Sequence, residues 1–258
     1  MFLALLFLTT QLFAAPINYC DDANCMGCWL MEDTGNETDE SGEGGDITES
    51  IGTIPTSTTH KFGHYSRDFE DGDTEYFTHA DGKSTDISGA DQPISMVAWV
   101  YVESTTGTHN IISKYRASGV LRQYKLFIQD NTNAERVVCQ LDDDGASATS
   151  ALTGDNTITD GNWYHIACVY NDTDIRIYID GVLASNGADN PKAYTAGIVD
   201  ATTPFLIGAE GDITNFIGGY FDGKMDDVAI FDDELSAAEV NNIMNYGLTG
   251  RRRIFITN

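Results

Sequence analysis

The sequence predicts an all-β protein, a two-sheet antiparallel sandwich with one short C-terminal helix. Short segments rich in Val, Ile, Tyr, Phe and Trp recur along the chain, separated by Gly, Asp and Asn. Several of them alternate apolar and polar positions, the period of a strand covered on one face. Only one stretch, near the C-terminus, has helical spacing with its own start signal. At 258 residues the chain is long enough for one large sandwich with a real core.

The elements follow in chain order. MFLALLFLTTQLFAAP opens the sequence, an apolar run of export-signal length closed by Ala14-Ala15. It is too short to span a bilayer. Residues 1–15 are therefore expected to be a signal peptide, although a cationic start is missing; the competing reading is a first strand docked on the sandwich. Gly27 to Met31 is the first expected strand of the mature domain. Residues 32–50 carry many acids and glycines and almost nothing apolar, the composition of a loop or an ion site. Two short strands, Tyr65–Phe69 and Thr74–Thr78, flank an Asp71-Gly72-Asp73 turn. Ile94–Glu103 reads as a central strand, with Met96, Ala98, Val100 and Val102 on one face and Val97, Trp99 and Tyr101 on the other. Ile111–Lys114, Gln123–Gln129 and Arg136–Leu141 follow at short spacing.

The clearest block is Asn162 to Ala184, read as three antiparallel strands in the middle of a sheet. Trp163–Tyr170 is aromatic and β-branched, which suits a pleated, half-covered surface. Ile175, Ile177 and Ile179 alternate with Arg176, Tyr178 and Asp180. Asp180-Gly181 is a preferred tight-hairpin dipeptide, because both residues tolerate positive φ. Phe205–Gly208 and Gly223–Phe231 close the sheets. Ser236-Ala237-Ala238-Glu239 is a capping box that starts a helix, with Leu235 and Val240 as a staple and Val240, Ile243 and Met244 as the buried stripe. Gly247 ends it. No internal repeat or linker appears, so residues 16–250 are expected to be one domain and 251–258 a basic tail.

Charge restricts the partners. There are 14 Lys+Arg against 40 Asp+Glu, a formal charge of -26. Nucleic acid and anionic membranes need clustered cations and are excluded as partners; divalent cations are favoured. Five cysteines are present. Cys25-Met26-Gly27-Cys28 has half the spacing of a zinc knuckle but no second pair completes it. In an exported protein a Cys20–Cys25 bridge around the Asp21–Asn24 loop is the expectation, with Cys139 and Cys168 as small core residues that can face each other.

The segments CWLMED, DESGEGGD, FGHYSRDFEDGDTEYF, ISMVAWVYVE, NWYHIACVYNDTDIRIYIDG, FLIGA and GKMDDVAIFDDELSAAEV occur in that order. Together they resemble laminin G-like domains of the pentraxin-related kind within the concanavalin A-like lectin/glucanase superfamily, over about residues 27–246. The resemblance implies a concanavalin A-like, jelly-roll-like sandwich and an extracellular binding module for a glycan or a protein surface, often with a calcium ion; membrane insertion is not expected. It implies a calcium site in which the loop 39–46 meets the late Asp226-Asp227: Asp39 and Asp226 as side-chain ligands, Gly42 and Gly44 as carbonyl donors, and Asp46 as a further ligand. The competing reading is a flexible acidic loop.

Other candidates stand on the residues alone. Asp142-Asp143-Asp144-Gly145 is an acidic turn, either a loop tip or a second cation and ligand position at Asp142 and Asp144. Tyr194, Phe216, Tyr220 and Phe221 lie in Gly-rich loops, where they can stack on a sugar or fill the loops' own cores; Tyr194 and Tyr220 are the ligand candidates. Asp71, Asp73 and Glu75 alternate in the manner of glycosidase carboxylates, but a wet Gly-Asp turn does not raise a carboxyl pKa as a general acid requires. No histidine is spaced with Cys or Ser for nucleophilic catalysis. The expectation is a non-catalytic lectin-like module. Two alternatives remain: a surface, filament or virion subunit using the same sandwich, and, third, a glycosidase. Homo-oligomers are compatible with the first two.

Overall fold

A computed structural model describes residues 17–50, 52–82, 84–116, 121–130, 135–143, 148–212 and 216–250. The expected signal segment, the basic tail and Asp144 lie outside the described residues. Ile94–Val102 is the centre of a nine-stranded antiparallel sheet, flanked by Asn162–Tyr170 on one side and Gly223–Phe231 on the other. The sheet continues through Asp174–Ile179 to Val182–Leu183 at one end and through Ser66–Phe69 to Thr56–Ser57 at the other. Cys25–Trp29 also pairs with Gly223–Phe231. The block at 162–184 thus forms one end of the sheet, not its middle, because Asp174–Ile179 is followed outward only by the short Val182–Leu183 and Lys192–Ala193 strands.

The opposing sheet has seven strands, in the order Thr149–Leu152, Glu135–Leu141, Arg122–Asp130, Thr108–Tyr115, Phe205–Ile207, Phe77–His79 and Thr48–Glu49. A small hairpin, Glu210–Asp212 with Phe216–Gly218, stands apart. Asp71–Asp73 is a 3-10 turn, at the expected turn position. The short edge strands and the hairpin have too few alternating residues to be read from sequence.

Alternation decides the core. Met96, Ala98, Val100 and Val102 meet Leu126, Ile128, Cys139 and Phe205 between the sheets, with Trp29 stacked on Phe205 at 5.1 Å. Cys139 and Cys168 are bonded to each other across this core. On the outer face, Val97, Ala167, Val169 and Tyr178 are covered by Leu235, Val240 and Ile243 of the helical segment. That helix, Ala237–Tyr246, has the expected capping box, in which Ser236 accepts from the Glu239 amide and Glu239 from the Ser236 amide.

The expected Cys20–Cys25 bridge is replaced by Cys20–Cys28, with Cys25 a buried free thiol. A bulge between Cys25 and Gly27 is the reason. An extra residue on one strand shifts the alternation, so Cys25 and Cys28 share the outer cluster while Met26 and Trp29 point to the inter-sheet core. Burial pushes the Cys25 thiol pKa well up, which makes it a poor nucleophile.

Candidate functional site: an aromatic recess and a buried acid pair

The outer face of the nine-stranded sheet is only partly covered. Beyond the helix that face carries Trp99 and Tyr101 of Ile94–Val102, and Trp163 and His165 of Asn162–Tyr170, with Trp99 and His165 buried and Tyr101 and Trp163 half-buried. The antiparallel register sets Trp163 opposite Tyr101 and His165 opposite Trp99. Their rings sit 5.6 Å and 5.4 Å apart, respectively. Lys61 Nζ lies 4.3 Å above the Trp99 ring and 5.6 Å from that of Trp163, within cation–π reach of both. Lys61, Trp99, Trp163, Asp180, Met244 and Asn245 line a cavity of about 280 Å³. From the sequence alone Trp99 and Trp163 read only as strand residues. Their outward phase was readable, but the pairing that joins them into one recess was not.

The expected cation residues do not act alike. Asp39 is buried, and its carboxylate accepts from the Cys28 amide (2.9 Å), the Ser41 amide (3.0 Å), the Ser41 hydroxyl (2.8 Å) and the Gly45 amide (2.9 Å). It organises the loop around itself. Asp46 accepts from the Asp39 amide at 2.8 Å and is otherwise exposed, as are Gly42 and Gly44. Four protein donors already saturate the Asp39 carboxylate, so it is a structural acceptor.

Asp226 is different. It sits at a bulge of the Gly223–Phe231 strand and is fully buried. Its Oδ2 accepts from the Lys61 amide (2.6 Å) and the Phe62 amide (3.0 Å), while its Oδ1 is buried with no hydrogen-bond partner. Burial raises its pKa well above the carboxylate range, and the neighbouring Asp227 and then Glu32 push further in that direction. Asp227 accepts from the Leu248 amide at 3.0 Å, and Glu32 from the His64 amide at 2.7 Å. Two glycines fit tightly here: a Cβ on Gly63 would lie 1.6 Å from Glu32 Oε1, and one on Gly247 2.7 Å from Asp227 Oδ2. The orphaned Asp226 Oδ1 is a hard oxygen of the kind calcium takes, although among the described residues Asp226, Asp227 and Glu32 do not gather their carboxylates within 4.8 Å of one another.

The remaining candidates are mostly structural. Tyr194 is buried, bonds Gly197 O at 2.8 Å and packs on Tyr170 at 5.4 Å. Tyr220 is partly buried against Leu206 and Ala209. Phe221 lies in the main core. Asp142 is buried, with its carbonyl accepting from the Val199 amide at 2.8 Å. Asp71 and Asp73 stay on an exposed turn, while Glu75 is buried and accepts from the Glu70 amide at 2.9 Å. Among the described residues Asp68, Glu70 and Glu103 form an acidic triple within 4.8 Å. Lys224 pairs with two of the three, bonding Asp68 at 2.8 Å and also Glu103.

Comparison with known proteins agrees with this architecture. No curated protein matches the chain in sequence. Solved structures match in fold. The botulinum neurotoxin serotype G binding domain aligns with a TM-score of 0.62 at 18% identity, covering 86% of this chain and 50% of that one. The binding domain of botulinum neurotoxin DC in complex with SialylT gives 0.62 at 15%, covering 86% and 51%. The chain thus spans about half the length of these toxin domains. Domain 4 of AbnA, an extracellular arabinanase from Geobacillus stearothermophilus seen in complex with arabinotriose, gives 0.58 at 19%, covering 86% of this chain and 98% of that one. A family model, Laminin_G_3, matches residues 71–241, and with it the chain belongs to the Concanavalin A-like lectin/glucanases superfamily.

Proposed function

We propose that this chain is a non-catalytic glycan-binding module that works outside the cell. The observation that carries the reading is the match to nearly the whole of an arabinanase domain seen with arabinotriose. The likeness covers 98% of that domain and 86% of this chain, so it concerns the module as a whole. Two disulfide bridges support an oxidising compartment. Glu75, the one buried acid of the alternating triplet, turns to its own loop amide and offers no partner for glycosidase chemistry. The test is a glycan array probed with the whole chain, with and without calcium. Binding to at least one glycan is expected; binding to none would leave the assembly-subunit reading in its place.

We further propose a structural calcium ion held by Asp226, with Asp227 and Glu32 as neighbouring charge, rather than by the Asp39 loop. The ion would supply the counter-charge that Asp226 Oδ1 lacks. Binding to the folded state alone stabilises by RT ln(1+[L]/Kd), about 2.7 kcal/mol at a hundredfold excess over Kd. Calcium should therefore raise the melting temperature of the wild-type chain. In chelator the sign reverses with pH: a carboxyl whose folded pKa lies above its unfolded one stabilises at low pH and loses that contribution as pH rises. Asp226→Asn keeps an acceptor for the Lys61 and Phe62 amides and removes the buried charge. It is expected to melt higher than wild type in chelator at neutral pH and to ignore calcium. An undiminished calcium response in this variant would move the ion elsewhere.

A further inference from the structure

We propose that the recess over Trp99 and Trp163 is the glycan subsite of this module, and that it takes one neutral pyranose unit. The proposal rests on the glycan-binding reading and gives it a place and a ligand class. The open part of the floor is Trp163, half-buried and so keeping part of its surface accessible to solvent, while the adjoining Trp99 is buried beneath the Lys61 ammonium. A pyranose presents a face of C–H groups to such a ring and needs hydrogen-bond partners only around its rim. Those partners come from three separate segments: Lys61 before the Ser66–Phe69 strand, Asp180 in the hairpin turn, and Asn245 in the last turn of the helix.

Each rim group is held in place. Asp180 Oδ1 accepts from the His165 amide at 2.9 Å, and the residue occupies the left-handed region at φ 49. Asn245 Nδ2 donates to Asn241 O at 2.8 Å. The Lys61 amide is bonded to the buried Asp226, and its ammonium rests on the indole of Trp99. Rigid support of this kind lowers the ordering cost of binding.

Charge and size narrow the ligand. The rim offers a carboxylate acceptor, an ammonium donor and an amide, which together suit hydroxyl groups that both donate and accept. An anionic sugar would have to approach Asp180 on a chain of formal charge -26, which disfavours it. The cavity of about 280 Å³ lies at the small end of ligand pockets and accommodates one ring rather than an extended chain.

The test uses the whole chain with lactose, cellotriose and chitotriose as neutral pyranose probes and 3′-sialyllactose as the anionic one. Binding is read by array and by quenching of tryptophan fluorescence. At least one neutral probe is expected to bind. Trp163→Ala and Asp180→Asn should each weaken it at least tenfold while leaving the melting temperature within a few degrees of wild type. Asp180→Asn guards against a folding artefact, since asparagine tolerates the same backbone and can still accept from the His165 amide. If glycans bind and both variants bind them within twofold of wild type, the subsite lies elsewhere and only the glycan-binding reading survives. If 3′-sialyllactose alone binds, the neutral assignment is overturned. If wild type binds no glycan on the wider array, both readings fall together.

Discussion

Arg67→Met is expected to destabilise the chain by about 3–5 kcal/mol, the range for removing one partner of a buried ion pair. Arg67 is completely buried on the Ser66–Phe69 strand. Its guanidinium bonds Glu37 at 2.8 Å, Glu49, and the Asp33 carbonyl at 2.6 Å, and it packs over Phe77 at 4.8 Å. Glu49 in turn accepts from the Ile54 amide at 2.8 Å. One cation therefore anchors the segment from Asp33 to Ile54, which carries the Asp39 loop. Methionine would fill the volume and leave the buried Glu37 and the partly buried Glu49 without their cation. The pH dependence gives a second signature. Burial raises the Glu37 pKa to about 7, outweighing the lowering effect of Arg67. Its stabilising contribution is complete below the unfolded value near 4.5 and is lost as pH rises towards 7. Without Arg67 the folded pKa should climb further, so the variant should lose more stability than wild type between pH 5 and 8. Denaturant midpoints across that interval measure both effects; a loss below 1 kcal/mol at all pH values would show that the network is dispensable.

How far the sequence determines these features varies with their range. Strand positions were legible because alternation is local: the phase of Met96, Ala98, Val100 and Val102 against Trp99 and Tyr101 survives intact in the structure. The capping box at Ser236 is equally local. The misses are non-local. Nothing in the residues themselves reveals the bulge that turns Cys28 rather than Cys25 towards Cys20. The order of strands in a sheet is likewise set by pairing across long separations, so the 162–184 meander was placed in the middle rather than at one end. The family resemblance points to Asp226 and Asp39 together; Asp39 holds its own loop through four protein donors. Glu32 and the Lys61–Phe62 amides, which do surround Asp226, carry no signature in sequence. The aromatic recess was invisible for the same reason: Trp99 and Trp163 become neighbours only through register.

The Cys139–Cys168 bridge should dominate the stability of the sandwich among its cross-links. Cys139 lies on Glu135–Leu141 of the seven-stranded sheet and Cys168 on Asn162–Tyr170 of the nine-stranded one, so the bond joins the two layers through the core. The two residues are 29 apart in sequence. Closing a loop of that length in the unfolded chain removes entropy worth about 3–4 kcal/mol at 25 °C. The Cys20–Cys28 bridge spans only 8 residues and is worth about 2.5 kcal/mol on the same scale. The paired substitution Cys139→Ala with Cys168→Ala is thus expected to cost more than Cys20→Ala with Cys28→Ala. At about 2–4 °C per kcal/mol for a chain of this size, the first pair should lower the melting temperature by roughly 6–16 °C. Freeing the unfolded chain should also raise the denaturant m-value, because more surface is exposed on unfolding. That increase separates loss of the cross-link from a simple packing defect, which shifts the midpoint at constant m. Peptide mapping of the unreduced wild type provides the covalent check, with Cys25 alone alkylated after denaturation. An alkylated Cys139 or Cys168 in that experiment, or a paired variant as stable as wild type, would rule the bridge out.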